Sequence, residues 1–489
     1  MSLLAIDQGT TSTRAILFSE DGRILDAEQE AFAQIYPRDG WVEHDAEVIW
    51  RTVQRTARAV LDRADAPPAA IGITNQRETT VLWDRRTGAP VHNAIVWQDR
   101  RTADICRALA EGGHDAFVRE RTGLLLDPYF SGTKLAWLLD HVDGARADAE
   151  AGHLAFGTID SWLIWKLTGG RVHATDATNA CRTLLFGLEA GDWDEDMLGL
   201  LRIPRAVLPE VRDSAGAFGT TSEDALGFAL PIGGVAGDQQ AALIGQAGFE
   251  AGAIKSTYGT GCFVVLNTGE RIVRSDHRLL STVAYRLDGE TTYAVEGAIF
   301  IAGAAVQWVR DGLGLFADAS ETEGLAREAN PDSRVVMVPA FTGLGAPYWD
   351  AEARGAIYGL TRDTGPPEVT AATLDAVAHQ TADLIDAMRA DGAVIEGLRI
   401  DGGMVGNDWF CQRLCDLTGL PAERPVVQET TALGAAMLAG VSAGVFGGLE
   451  EAGRLRRPDA SFAPEEGENW RAAKRAAWAD AVRRTLTNG

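Results

Sequence analysis

Lysine is nearly absent: four residues in a chain of 489, within a total of 45 basic side chains set against 69 acidic ones, for a formal net charge of −24. That balance excludes the extended basic surface that nucleic acid or anionic lipid requires. Cysteine is scarce as well. The five present, Cys106, Cys181, Cys262, Cys411 and Cys415, form no Cys-x-x-Cys pair, and an odd number argues against a disulfide framework. Cys411 and Cys415 stand one helical turn apart, where core packing is the simplest use of both. The eight histidines form no His-x-x-x-His or His-Glu pair, which removes the usual zinc signatures. Neither Gly-x-x-x-x-Gly-Lys-Ser/Thr nor Gly-x-Gly-x-x-Gly occurs, so no Walker-type loop and no dinucleotide fingerprint is available. The longest apolar stretch, Ala298 to Val306, is far too short to span a bilayer. Met1 is followed at once by an apolar run with no basic, small-residue leader, so a cytoplasmic protein is expected. The length calls for two large domains.

Against those absences the informative stretch is the first one, Leu3-Leu4-Ala5-Ile6-Asp7-Gln8-Gly9-Thr10-Thr11-Ser12-Thr13-Arg14-Ala15-Ile16-Leu17-Phe18. Two short apolar runs flank Asp, Gly, hydroxyls and one Arg, the pattern of a tight β-hairpin whose tip holds an anion. Gly9 allows close approach, Thr10 to Thr13 offer amide and hydroxyl donors, and Arg14 offers a planar fork of charge. Asp7 cannot bind phosphate and reads instead as an acceptor for magnesium or its waters. An ordinary turn would carry the same Gly-Thr-Thr-Ser.

Further along, Asp45 caps an expected helix over 47–62, and a short buried strand over 70–74 delivers Asn75-Gln76-Arg77-Glu78-Thr79. Arg beside Glu there is either a self-neutralising pair or a site offering a polyol both donor and acceptor. Trp97, in Trp97-Gln98-Asp99-Arg100-Arg101, is either a flat apolar wall or a structural core residue. Helices are expected over 133–141, after a turn containing Tyr129, and over 158–167, stopped by Gly169-Gly170. Ile232 to Gly237 reads as a glycine-flanked strand ending at Asp238, followed by Gln239. That carboxylate is either a helix N-cap or a general base in a space the glycines clear. Gly252 to Leu266 then repeats strand, Gly/Thr turn and strand, now with Thr260 at the tip and Phe263 beyond, which suggests duplication. A helix over 298–313 carries Gly303 and Gln307 one turn apart, where a base or ribose could lie. Asp401-Gly402-Gly403 turns a strand into a helix that begins at Asp408, after Asn407, and a tightly packed helix is expected over 431–440.

Asp7-Gln8-Gly9-Thr10-Thr11-Ser12, Asn75-Gln76-Arg77-Glu78-Thr79, Trp97-Gln98-Asp99-Arg100-Arg101, Gly237-Asp238-Gln239-Gln240, Tyr258-Gly259-Thr260-Gly261-Cys262-Phe263 and Asp401-Gly402-Gly403 together resemble the FGGY family of carbohydrate kinases, in order from about Leu3 to about Gly444. The resemblance implies an α/β protein of two RNase H-like domains of the actin and hexokinase type, residues 1–247 and 248–489, with the active site in the cleft between them. It implies ATP/ADP and Mg2+ as cofactors, glycerol as phosphoryl acceptor and a homo-oligomer, dimer or tetramer; a kinase for another polyol or ketose is the alternative. By the same resemblance Asp7 orders the metal, and Thr10, Thr11, Ser12 and Arg14 hold the transferring phosphate. Thr260, Gly303, Gln307, Gly403 and Asn407 hold the nucleotide. Arg77, Glu78, Tyr129, Asp238 and Gln239 bind the acceptor hydroxyls against Trp97 and Phe263, with Asp238 as base.

Overall fold

Both hairpins singled out in the sequence form, and each seeds a sheet. The computed structural model describes residues 1–350 and 352–487; residues 351, 488 and 489 of the second expected domain lie outside them. Ser2–Gln8 pairs antiparallel with Ser12–Ser19, which pairs with Ile24–Ala31. On its other side the first strand runs parallel to Ile71–Asn75, which runs parallel to Ile232–Gly237. In the second sheet Ile254–Tyr258 pairs antiparallel with Cys262–Gly269, and that with Glu290–Ile299. The first of these runs parallel to Leu398–Asp401, and that to Ala422–Pro425. Strand order and direction are therefore the same in both, the duplication expected from the second Gly/Thr turn. Leu280–Leu287 and Pro458–Phe462 extend the second sheet at its two edges.

The first strand alternates little because both faces are covered: Leu4 and Ile6 face a core with Ile49, Val53 and Val60, while Leu3 and Ala5 face another with Leu433, Met437 and Leu438. Continuous burial is the expected reading of a central parallel strand. Ala46–Arg63 forms the helix read from the sequence, its N-cap Asp45 accepting from the amides of Glu47 and Val48. Between Asn75 and Ile232 the chain makes a third apolar cluster, around Phe130, Leu135, Phe156, Leu185 and Met197. Cys411 and Cys415 are both buried in the core of the second sheet. Among the described residues no helix is long and apolar enough to cross a membrane.

The expectation of a helix over 298–313 is corrected. Ala298 and Ile299 are the end of strand Glu290–Ile299, paired with Phe263 and Cys262, and the helix is Gly303–Asp311. A short buried apolar run cannot be assigned by periodicity, and here ladder pairing decides. A second correction concerns the glycines before Asp238. They make room for protein: a Cβ on Gly234 would stand 2.5 Å from the Ala439 amide nitrogen, and one on Gly237 would stand 2.7 Å from the Arg77 side chain.

What Gly234 admits is the helix Thr430–Ser442, which comes from the far end of the chain to pack on the first sheet and on the helix Asp238–Gly245. Backbones touch there. A Cβ on Gly72 would lie 2.0 Å from the Ala435 carbonyl oxygen, one on Gly245 1.9 Å from that of Thr430, and one on Gly434 1.9 Å from that of Ala241. Overpacking a core costs about 1–3 kcal/mol, and more when rigid backbone is the obstacle. Gly434→Ala should therefore lower the melting temperature by several degrees. Gly199→Ala, on the helix Glu195–Leu201 with open space around the new methyl, should leave it unchanged or slightly raised. Thermal unfolding followed by circular dichroism distinguishes the two, and equal melting would show that the crossing contact is not what Gly434 serves.

Candidate active site

The first hairpin ends its outgoing strand at Asp7-Gln8 and closes its tip with the Gly9 amide donating to the Ser12 carbonyl at 2.9 Å. Asp7 lies opposite Arg14 across the hairpin and beside Thr74 on the parallel strand. Its carboxylate makes no hydrogen bond or ion pair among the described residues. Burial pushes the Asp7 carboxyl up to about 7, Glu429 and Asp238 add to the rise, and Arg14 opposes it. A carboxylate in that state lacks positive charge, which fits a divalent cation held by one carboxylate and completed by phosphate and water. Arg14 Nη1 donates to Glu429 Oε2 at 2.6 Å, with both side chains more than a third exposed; such a pair contributes little and can yield to phosphate. The Thr10 hydroxyl accepts from Trp97 Nε1 at 3.0 Å, the Ser12 hydroxyl accepts from Gln29 Nε2 at 3.0 Å, and Thr11 is exposed. Thr13 points inward and exchanges a hydrogen bond with Thr52, so of the four hydroxyls expected at the tip three remain.

Arg77 and Glu78 do not neutralise each other. Arg77 grips Glu296 with both terminal nitrogens, at 2.5 and 3.0 Å, and its Nε lies 3.0 Å from Asp238 Oδ1. Glu78 Oε1 instead accepts from Arg182 Nε at 2.7 Å, and Arg182 Nη2 closes the ring on Glu296 Oε1 at 3.1 Å. Arg77, Glu78, Arg182 and Glu296 are all fully buried, whereas the Asp238 side chain is 31% exposed. Burial would raise the Glu296 carboxyl, but the Arg182 and Arg77 guanidiniums override it and bring it down to about 2; for Glu78 burial wins and the shift is upward. Glu78 holds a left-handed backbone, φ 60°, with its carbonyl fixed by the Ser131 hydroxyl at 2.9 Å. Such a conformation costs a non-glycine residue about 1–2 kcal/mol, offset here by the contacts that hold it.

Asp238 is the first residue of the helix Asp238–Gly245 and not its N-cap, which is Gly237. Its carboxylate is thus held by Arg77 and by the Gln239 backbone N–H, at 2.7 Å, with part of its surface free. Beside it stands an aromatic wall. The Trp97 ring meets Tyr129 edge-on at 5.6 Å and Phe263 at 6.4 Å, all three half-buried. Phe263 belongs to the second sheet, so the wall crosses the cleft as Arg77–Glu296 does. Lys255 is buried on the second hairpin, where its Nζ donates to Gln239 Oε1, to the Thr257 hydroxyl at 3.0 Å and to the Phe263 carbonyl at 3.3 Å. Burial brings its ammonium down to about 8.

The second hairpin closes with the Gly259 amide donating to the Gly261 carbonyl at 2.9 Å, leaving Thr260 exposed at the tip. Gly303 sits directly on it: a Cβ there would be 2.6 Å from the Gly259 carbonyl oxygen. Gln307 is exposed one turn on. Gly402, φ 93°, lies against the Tyr258 backbone, and Gly403 has open space around it. Asn407 caps the helix Asp408–Thr418 through its oxygen and donates to the Thr322 hydroxyl at 3.2 Å. Gly303 therefore packs on the Thr260 tip, where its Cβ would also stand 3.8 Å from the side chain of Met404, the neighbour of Gly403, while the Asn407 side chain is committed to the following helix and to Thr322. Glu296, Arg182 and Lys255 were missed from the sequence. The available signal was a charge inside a buried strand: Glu296 amid Tyr293 to Ile299, and Lys255 as the one cation between Arg212 and Arg271.

The model of the FGGY family of carbohydrate kinases, N-terminal domain, matches residues 2–245, and that of its C-terminal domain matches residues 254–443. A glycerol kinase from Rhodospirillum centenum is 60% identical over 486 residues, 99% of this chain and 98% of that protein. One from Cereibacter sphaeroides is 59% identical over 488 residues, 99% of each. Among solved structures, Plasmodium falciparum glycerol kinase with ADP superposes with a TM-score of 0.93 at 36% identity, covering 99% of this chain and 98% of that one. A gluconate kinase from Lactobacillus acidophilus, at 22% identity and a TM-score of 0.89 with 99% and 97% coverage, shares the fold. The chain belongs to the FGGY family of carbohydrate kinases and has its two-domain α/β architecture of the actin and hexokinase type.

The state of Asp7 yields a prediction about stability. A carboxyl whose folded pKa is raised binds its proton more tightly in the folded than in the unfolded chain, so free protein loses stability as pH rises from about 4 through about 7. Asp7→Asn removes that penalty. At pH 8 the variant should melt several degrees above the wild type, with the gap closing towards pH 4, while turnover is lost. A lower melting temperature at pH 8 would refute the assignment of an unpaired, functional carboxylate.

Proposed function

We propose that this chain phosphorylates glycerol at the expense of ATP, giving sn-glycerol 3-phosphate and ADP. The observation that carries the reading is Asp238: a half-accessible carboxylate held by the buried Arg77 beside an aromatic wall. The full-length relatives named glycerol kinase, at 59–60% identity, support the choice of acceptor. Lobes at residues 1–247 and 248–489 accord with the two family-model matches.

In this reading Arg77, Glu78, Tyr129 and Gln239 meet the glycerol hydroxyls, and Trp97 and Phe263 pack on its carbon edge. A neutral triol gives no charge to hold, so fixed donors and acceptors and a flat apolar wall do the selecting. Asp238 takes the proton from the attacking hydroxyl as its oxygen bonds to the γ-phosphorus and the bond to the β–γ bridging oxygen breaks, releasing ADP. Thr10, Thr11 and Ser12 with the amides of the first tip, and Arg14 once released from Glu429, hold the transferring phosphoryl group. Thr260, Gly303, Gln307, Gly403 and Asn407 hold the nucleotide. A magnesium ion at Asp7 would neutralise phosphate charge. Phosphoryl transfer asks for alignment and charge neutralisation, with little covalent help, so the absence of a lysine loop is no obstacle. Contacts across the cleft keep water, the competing acceptor, away from the phosphorus.

An ADP-release assay across glycerol, dihydroxyacetone, xylulose, ribulose and gluconate tests the function; preference for a ketose or for gluconate would sink it. Asp238→Asn keeps the shape and the Arg77 contact but not the proton acceptor, so turnover with glycerol should fall by about 10²–10⁴ with the fold retained. Wild-type turnover in the folded variant would remove Asp238 from the role of base. Phe263→Ala should instead relax discrimination, with longer polyols gaining about tenfold relative to glycerol in kcat/KM; an unaltered substrate range would take Phe263 out of the pocket.

A further inference from the structure

Lys255 is fully buried in the strand Ile254–Tyr258, and no carboxylate lies within ion-pair distance of it among the described residues. Its ammonium has three N–H donors, no lone pair, and three acceptors in reach: Gln239 Oε1, Thr257 Oγ1 and the Phe263 carbonyl. A group that can only donate fixes which end of the Gln239 amide faces it, because the amide nitrogen would meet it donor to donor. The oxygen must point at Lys255, which leaves the Nε2 amide hydrogens for the other side. There Nε2 finds no protein acceptor among the described residues, although Gln239 is only 7% exposed. The residue stands next to Asp238, whose carboxylate can only accept.

We propose that Lys255 is a positioning residue that locks the Gln239 amide oxygen inward, so that Gln239 meets the phosphoryl acceptor as a hydrogen-bond donor. Residues 238 and 239 then present one acceptor and one donor to a hydroxyl: its oxygen takes an N–H of Gln239 while its proton is offered to Asp238. Lys255 also holds the backbone of Phe263, so the same ammonium sets the donor and the wall opposite it. Because Gln239 comes from the first sheet's helix and Lys255 from the second sheet, the donor acquires its orientation only when the two halves are together. The inference rests on the reading that Gln239 contacts the acceptor.

Steady-state kinetics on Lys255→Met, Gln239→Ala, Gln239→Glu and the Lys255→Met/Gln239→Ala double variant test it, using whichever polyol the substrate panel selects. A preference for a polyol other than glycerol would then refute that substrate while leaving the lock under test. Gln239→Ala should raise the polyol KM about tenfold with the ATP KM unchanged. Lys255→Met should do the same, and in the double variant its further effect should fall well below the product of the two, since no amide is left to orient and only its hold on the Phe263 backbone remains. Gln239→Glu keeps a partner for the ammonium but has no N–H, so its polyol KM should rise about tenfold without loss of melting temperature, which keeps the test decisive if Lys255→Met does not fold. Wild-type polyol KM in Gln239→Ala or Gln239→Glu, or effects of Lys255→Met and Gln239→Ala that multiply in full, would overturn the lock.

Discussion

Four charges buried where the two halves meet set the terms for the rest of the molecule. Arg77 and Arg182 come from the first half and Glu296 from a strand of the second, 219 and 114 residues away from them. No one of them could be buried alone, since an unpaired ion in the interior costs several kcal/mol. Glu296 answers both guanidiniums at once, which is why its carboxyl lies far below the usual range while Glu78, with one direct arginine contact, shifts the other way. Such a ring is weak as a source of net stability, because apolar residues of like shape would often do as well. What it supplies is position. With both terminal nitrogens anchored on Glu296, Arg77 turns its Nε towards Asp238, so the carboxylate at the helix start is fixed by a group itself fixed from across the cleft.

Glycine does for the backbone what the arginines do for charge. The helix Thr430–Ser442 approaches the first sheet and the helix after Asp238 so closely that Gly72, Gly245 and Gly434 have no space for a methyl group. At the same crossing the buried Asp401 carboxylate accepts from Gln246 at 2.7 Å and from the Thr430 hydroxyl at 2.8 Å. A segment from the end of the chain thereby becomes part of the floor under the first hairpin, and Glu429, one residue before it, reaches Arg14. A residue from far along the sequence thus adds to the negative charge around Asp7.

What could be read from the sequence was whatever is local. Both hairpins and the capped helix at Asp45 are local patterns, and each formed as read. The readings that changed depend on partners distant in sequence. Arg77 beside Glu78 suggested self-neutralisation, but a left-handed turn at Glu78 sends the two side chains to different partners. Asp238 matched an N-cap in spacing and proved to be one position inside the helix. The run from Ala298 was apolar in a way that suits strand or helix, and pairing with Cys262 and Phe263 chose strand. Lys255 and Glu296 carried a weak local signal, a charge in an apolar strand, but their acceptors and donors could be named only once the two sheets were brought together.

The two hairpins share their topology and their closing glycine amide, yet they have diverged in charge, and the divergence accords with a division of labour. In the first, the carboxylate sits on the hairpin itself, at Asp7, without a hydrogen-bond partner among the described residues and with burial pushing its pKa up to about 7. In the second, the strand beside Thr257 carries Asp401, whose carboxylate is buried and spent on Gln246 and Thr430. The tip there offers only Thr260 and glycine backbone. A metal–phosphate cluster needs unspent negative charge to hold the cation and unspent donors for the phosphates, and only the first hairpin keeps both. The surface of an uncharged nucleoside needs neither, and close-packed glycine around Gly303 and Gly402 suits it. Duplication made two similar cradles. What separates them is which of their carboxylates the folded chain left unpaired.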